Sequence, residues 1–341
     1  MCIPSRSFSR EGSTERNLEH LLPLINAHNS QNCSFATDDK LAGDLVNEGH
    51  IDHAVRKAIQ GGIPPITALQ IATINTARHY RLHNLGAIAP RYWADFIVFD
   101  DLKNFRVRQT WKKGVLVAEN GKYLAKHPKK VSLPRSTMNL RYSPKDFFVK
   151  ANGAKKIRVI ELIPNQIVTK EWIATPKIVD GEIVADTSRD ILKMVVVERH
   201  RATGNVGVGF VRGFKLKRGA IGSTVAHDAH NVIVAGTNDA DILFAIQELE
   251  RLQGGQIAVA DGKVKAELPL PIAGLVTDQP LAKAMKLIDA LNAAAQAFGS
   301  DLAAPFMALS FLALSPIPAL KLTDQGLIDA TRLKKTSLFV S

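Results

Sequence analysis

Three places in the 341-residue sequence bring together side chains able to do chemistry. Asp38-Asp39 follows the short apolar run Cys33-Ser34-Phe35-Ala36-Thr37. A carboxylate at the end of such a strand can accept and return a proton or meet a metal ion. A short acidic pair at a strand-to-loop junction can equally make an Asx turn or cap a helix, and the spacing leaves both open. His50 and His53 lie one helical turn apart beside Glu48 and Asp52, but Glu-Gly-His-Ile-Asp-His is not the His-Glu-x-x-His of a zinc helix. An exposed first helical turn is the expected reading there. His227-Asp228-Ala229-His230 precedes an apolar run and follows a stretch bearing Lys217 and Arg218. It is read either as a contact for substrate or metal or as a hydrogen-bonded turn.

The elements that must position these residues fall into three blocks. In the first, Leu18, Leu21, Leu22 and Ile25 recur at helical spacing over Asn17–Ile25, and Cys33–Thr37 reads as a strand. Ile51, Ala54, Val55, Ala58 and Ile59 define a helix stopped by Gly61-Gly62, and Pro65 opens another over Ile66–Ile74. Helix, strand, helix, helix is the order of the last turns of a (β/α) barrel. The second block has strands over Ala94–Asp100, Val107–Gln109 and Val115–Ala118, with turns at Lys113-Gly114 and Asn120-Gly121. Basic, irregular sequence from Lys122 to Lys150 reads as a linker or crossover. The third block mixes strands at Met194–Glu198 and Asn231–Ala235 with a helix capped by Asn238, a hairpin at Asp261-Gly262 and a helix through Leu281, Met285, Ile288 and Leu291.

Composition narrows the classes. With 46% hydrophobic residues and no apolar run of the ~18–20 needed to span a bilayer, a globular chain without a membrane partner is expected. The start, MCIPSRSFSREGSTERN, has no apolar secretory core. Cys2 and Cys33 are the only cysteines, too few for a disulfide framework or a cysteine-built zinc site, and the expected home is the cytoplasm. Much of the net charge of +12 lies between Lys103 and Arg158, including Lys112-Lys113, Lys129-Lys130 and Lys155-Lys156. Trp111, Tyr123, Tyr142, Phe147 and Phe148 are nearby, yet no nucleic-acid motif joins them, so a solvated surface without a nucleic-acid partner is expected.

Ala87-Ile88-Ala89-Pro90 followed by Ala94-Asp95-Phe96-Ile97-Val98 resembles the junction where amidohydrolases leave their barrel for a small β-sandwich, with Arg91 in place of the usual glycine. Thr37-Asp38-Asp39 resembles the end of that family's last barrel strand. Gly204 to Val211, Leu216 to Ile221, Val225 to Asn231, Gly236 to Asp239, Leu268 to Leu275 and Pro305 to Leu312 are similar to the C-terminal domain of adenine deaminases. Arg10-Glu11-Gly12-Ser13 resembles a motif that family carries before its last barrel strand, so the resemblance runs from about Ser9 to Leu333.

The resemblance implies adenine as substrate, converted with water to hypoxanthine and ammonia in purine salvage. It implies a divalent metal, manganese or iron before zinc, that lowers the pKa of bound water toward ~7. It makes Asp38 the catalytic carboxylate and a metal ligand, with Asp39 the lesser candidate and His227, Asp228 and His230 as candidate substrate or metal contacts. The family's other ligands come from a His-x-His on the first strand, a mid-barrel Glu or Lys and two later histidines, but none of the ten histidines here forms His-x-His. Nor does the chain contain the His-x-Glu and Pro-Cys-x-x-Cys of the other zinc nucleobase deaminases. A complete barrel needs roughly 200–250 residues, and Gly86 already marks the exit.

The expected fold class is therefore α/β and α+β: the C-terminal remnant of a (β/α)8 barrel over 1–84, a β-sandwich segment over 85–125, a basic linker over 126–156 and a C-terminal α+β domain over 157–341. Little activity is expected of the chain alone. The expected partner is a missing N-terminal barrel half or a second copy, and the alternative is a truncated, non-catalytic remnant or interaction module.

Overall fold

The computed structural model describes residues 7–13, 16–126, 138–164 and 166–340. Cys2, His127 and the Lys129-Lys130 pair lie outside the described residues. The chain forms two compact units, Met1–Val131 and Ser132–Ser341.

In the first unit, β1 (Ser7–Arg10) and β2 (Cys33–Ala36) pair in parallel, from Ser7 against Cys33 to Arg10 against Ala36. Parallel neighbours cannot be joined by a tight hairpin, and the connection carries α1 (Leu18–Leu21). The helix expected over Asn17–Ile25 ends early, tightening into a 3-10 turn at Leu22–Leu24. Pro23 has no N–H to continue an α ladder, which accounts for the change. Strand β1 and helix α2 (Ala42–Asn47) were not legible as elements. Helix α3 (Ile51–Gln60) buries Ala54, Val55 and Ala58 against Leu18, Leu22, Cys33 and Phe35.

The single helix expected over Ile66–Ile74 is instead α4 (Pro65–Gln70), a π turn (Ile71–Asn75) and α5 (Thr76–His79). Thr73 Oγ1 donates to Leu69 O at 2.6 Å and Thr76 Oγ1 to Ile71 O at 2.9 Å. Buried Asn75 donates from Nδ2 to Ser30 O at 2.9 Å. These bonds widen the ladder and turn an amide inward, as π bulges commonly do. Beyond them β3 (Phe96–Phe99), β4 (Val107–Lys112), β5 (Val115–Glu119) and β6 (Lys122–Tyr123) form an antiparallel meander. Lys113-Gly114 and Asn120-Gly121 take positive φ in both turns, the geometry that two-residue hairpins favour.

The second unit is built on one eight-stranded sheet. Its strands in chain order are β7 (Ile157–Leu162), β8 (Thr169–Ala174), β11 (Leu192–Val197), β12 (Val206–Arg212), β13 (Ala220–Ser223), β14 (Val232–Gly236), β15 (Gly255–Ala260) and β16 (Lys263–Pro269); the hairpin β9 (Lys177–Val179) and β10 (Glu182–Val184) stands apart. The spatial order is β16-β15-β13-β14-β11-β12-β7-β8, antiparallel except where β7 meets β12. Central strands β11 and β14 are buried along their whole length. Alternate residues therefore serve opposite cores. Val195, Val197, Val232 and Val234 meet Ile242, Ile246 and Leu249 of α6 (Asp239–Arg251). Met194, Val196 and Ile233 share a second core with Leu291 of α7 (Leu281–Ala297) and Phe306 and Leu309 of α8 (Pro305–Phe311). Asn238 caps α6 as its type predicts, its Oδ1 accepting from Asp241 N at 2.8 Å.

Within the stretch read as a basic linker, Met138 and Phe147 are buried in the α6-side core. Three strands, β17 (Leu320–Thr323), β18 (Gly326–Asp329) and β19 (Lys334–Lys335), form a separate small sheet. It comes so close to β12 that a Cβ on Gly207 would stand 1.9 Å from Thr323 O. The tail then returns to β7, where Arg158 donates from N to Leu338 O at 2.8 Å and from Nη1 to Ser337 O and Phe339 O. The whole is a mixed α/β chain with one large sheet.

Candidate functional site

Asp38 stands two residues beyond the last pair of the β1–β2 ladder, in the left-handed region at φ 53°. Aspartate tolerates that region better than most side chains. Its Oδ2 lies 3.1 Å from Arg10 Nη1, and both side chains are 47% exposed. Arg10 pairs with Ala36 in the register, so period-two alternation puts it on the same face as Asp38, two residues beyond Ala36.

The neighbouring carboxylate does different work. Asp39 Oδ1 accepts from Ser13 N at 3.1 Å, and Ser13 Oγ donates to Asp44 Oδ2 while accepting from Leu41 N. Gly12 is required by this closeness, since a Cβ there would fall 1.9 Å from Asp39 Oδ1 and 2.7 Å from Thr37 O. The Arg10–Ser13 segment at the end of β1 thus clasps the Thr37–Asp44 loop at the end of β2.

Behind the clasp lies a charged network that sequence reasoning missed. Glu11 is 1% exposed; its Oε1 meets Lys57 Nζ at 2.8 Å, and its Oε2 is buried with no hydrogen-bond partner among the described residues. Lys57 also meets Glu19 at 2.8 Å; burial works against its charge, but the two carboxylates hold its pKa above the ordinary lysine value. His53 was expected on an exposed turn. It is instead half-buried, with Nε2 3.7 Å from Glu11 and 3.8 Å from Glu48, and burial pushes its pKa down. The hydrogen bond from Lys40 pulls the Glu48 carboxyl below its usual range. His50 reaches Thr37 Oγ1 at 3.4 Å. The legible signal was Arg-Glu-Gly-Ser, two opposite charges and a glycine ahead of a serine, but not its partners.

His227, Asp228 and His230 are brought together on the loop between β13 and β14. The rings of His227 and His230 meet edge to face at 5.4 Å between centroids, and His227 lies 4.9 Å from Phe311. His230 sits at φ 50°, and its Nδ1 accepts from Ala226 N at 3.3 Å, which puts the ring proton on Nε2. Burial first, then the positive surroundings of His227 and Arg199, lower its pKa. From beneath, buried Arg199 donates to His230 O and to Ala273 O, and His200 Nε2 meets Ala229 O at 2.7 Å. This is a braced turn that exposes a carboxylate beside two imidazoles.

Among the described residues, no group of three or more His, Cys, Asp or Glu side chains is placed to hold a metal ion. Asp38 is met by the cationic Arg10, and His53 stands among Glu11, Glu48 and Lys40. The donor set of the described residues therefore does not fit the divalent metal that the resemblance implies. A cavity of about 440 Å³ in the first unit is lined by Ile51, Val55, Leu69, Phe105 and Val107 with His50, and Asp38 is not among its lining residues. No described helix is long and apolar enough to cross a membrane.

Comparison with known proteins agrees with the resemblance. Residues 9–117 match the amidohydrolase family, and residues 166–334 match the adenine deaminase C-terminal domain. An adenine deaminase of Dehalococcoides mccartyi is 47% identical over 329 residues, covering 95% of this chain and 57% of that protein. One from Oleidesulfovibrio alaskensis is 43% identical over 97% of this chain, and adenine deaminase 2 of Carboxydothermus hydrogenoformans is 46% identical over 94%. The chain spans about 57% of the length of these curated relatives. Along the chain, a segment similar to the amidohydrolase family is thus followed by one similar to the adenine deaminase C-terminal domain.

Proposed function

We propose that this chain serves adenine deamination, the hydrolysis of adenine to hypoxanthine and ammonia in purine salvage, as the part of the enzyme that bears Asp38 and the C-terminal domain. The observation that carries the reading is identity of 43–47% to three proteins named adenine deaminase over nearly the whole chain. In this reading Asp38 is the carboxylate that takes a proton from the attacking water and returns it toward the leaving amine. Its place at the end of a parallel strand supports that role, since the C-terminal strand ends form the catalytic face of (β/α) barrels.

The finer assignments follow the same reading. Residues 1–84 are the last turns of the barrel, 85–125 belong to a small β-sandwich, 126–156 are a basic connection, and 157–341 are the C-terminal α+β domain. The cofactor is a divalent metal, manganese or iron in preference to zinc, held with Asp38 by ligands that the described residues do not bring together. His227, Asp228 and His230 are candidate contacts for substrate or metal. The cytoplasm is the proposed compartment, where buried Cys33 stays a thiol. The test is ammonia release from adenine by this chain, alone and co-expressed with the segment by which the relatives exceed it. Activity of the combination, lost on Asp38→Asn, is the expected result; no activity in the combination would reject the reading.

A further inference from the structure

We propose that Arg10 is the positioning residue of Asp38: it takes one carboxylate oxygen and so fixes which oxygen faces the reacting water. The inference rests on the reading of Asp38 given above. Three observations carry it. The contact is directed, Nη1 to Oδ2 at 3.1 Å. The strand end that presents Arg10 is itself pinned, because Arg10 N donates to Asn17 Oδ1 at 2.7 Å and Asn17 N donates to Arg10 O at 3.1 Å. Asp38 is held from its other side, since Lys40 N donates to its carbonyl at 2.9 Å and Gly12 and Ser13 clamp the next residue. An ion pair with both members 47% exposed contributes little to stability. Its effect lies in geometry: a carboxylate has two oxygens, and a guanidinium on one of them selects a rotamer and leaves the other for proton transfer.

The guanidinium also sets the cost of replacing it. Lysine retains the charge but not the planar fork, so Arg10→Lys keeps part of the function and Arg10→Ala keeps less. Two measurements separate this inference from the reading beneath it. In this chain, amide hydrogen exchange at Asp39–Leu41 should quicken roughly two- to fivefold in Arg10→Ala and in Asp38→Asn. The double variant should be no faster than either single one, the signature of a shared interaction. Exchange rates that multiply in the double variant, or that match wild type throughout, would overturn the pairing without any activity being measured. In the longer protein that deaminates adenine, Arg10→Ala should lower kcat on the order of tenfold to a hundredfold with KM changed about twofold at most, and Arg10→Lys should recover part of it. Unchanged kcat in Arg10→Ala beside an inactive Asp38→Asn rejects the role of Arg10 and spares that of Asp38. Full activity in Asp38→Asn rejects both.

Discussion

The two units use β structure in opposite ways. In the second, the central strands are sandwiched between helices, and every residue of β11 and β14 is buried. In the first, the four strands of the β3–β6 meander contain no buried residue, and its other sheet is a single parallel pair. A sheet gains stability from what covers its faces, and among the described residues no further strand borders the β1–β2 pair. The second unit therefore carries its own stability. The first spends its polar groups on arranging one loop. The candidate carboxylate lies in the unit that is less able to stand on its packing.

The largest test of that division is chemical. Asp38→Asn in an active, longer protein should lower kcat by ~10²–10⁴ while the melt of the second unit is unchanged. Asparagine suits the left-handed φ of this position, so steady-state ammonia release with a parallel melt would isolate charge and proton transfer from fold. A proportionate loss of stability would erase the division.

Packing comes next. Leu249→Ala, in the α6-side core, should cost about 2–5 kcal/mol. Val115→Ala, at an exposed position of β5, should cost less than ~0.5 kcal/mol. Urea titration of both variants checks the contrast, and similar losses would show that the meander is better covered than its burial indicates.

Glycine replacement sharpens the comparison at one backbone position in each unit. Gly207→Ala drives a methyl against Thr323 O and should cost ~2–3 kcal/mol, because a backbone carbonyl must move. Gly12→Ala meets first the Asp39 carboxylate, which can rotate away, and should cost ~1–2 kcal/mol while loosening the Thr37–Asp44 loop. Thermal melts followed with loop-directed proteolysis would rank them, and a reversed order would contradict the closer packing of the second unit.

Comparable in size to the Gly12 effect is a pH dependence within the second unit. Hydrogen bonding by Ser188, aided by Arg189, draws the Asp186 carboxyl down to about 2. A depressed folded-state pKa gives stability that is complete above the unfolded value near 3.8 and lost as pH falls through about 2. Asp186→Asn should therefore be weaker than wild type by roughly 1–2 kcal/mol at pH 6, with the gap closing between pH 4 and pH 2. A constant gap across that window would locate the effect outside the carboxylate's charge.

What the sequence showed was local. Asn238 ahead of an apolar period and Asp261-Gly262 between apolar runs act over a few residues, and α6 and the β15–β16 turn stand where those signals put them. Pro23 and the hydroxyls of Thr73 and Thr76 were equally local, but they modify a helix rather than create one, so periodicity alone ran past them. Strand β1 was hidden because Ser7-Phe8-Ser9-Arg10 becomes a strand only against β2. The candidate site divided along the same line. Asp38 was a candidate from its place after an apolar run, and the resemblance rather than the spacing favoured it over a turn residue, whereas its contact with Arg10 and the Glu11–Lys57 pair join residues far apart in sequence.

The tail seam on β7 has a consequence in time. Arg158 Nη1 bonds residues 179 and 181 positions further along the chain. Closing so long a span carries an entropic cost that grows with its logarithm, and contacts of that range slow folding. The start of β7, which β12 reaches only from Ile160 on, is completed on that side by Ser337–Phe339, so until the tail arrives that stretch of backbone has one neighbour, β8. Dilution during refolding should therefore favour the native tail over another chain at that stretch of β7.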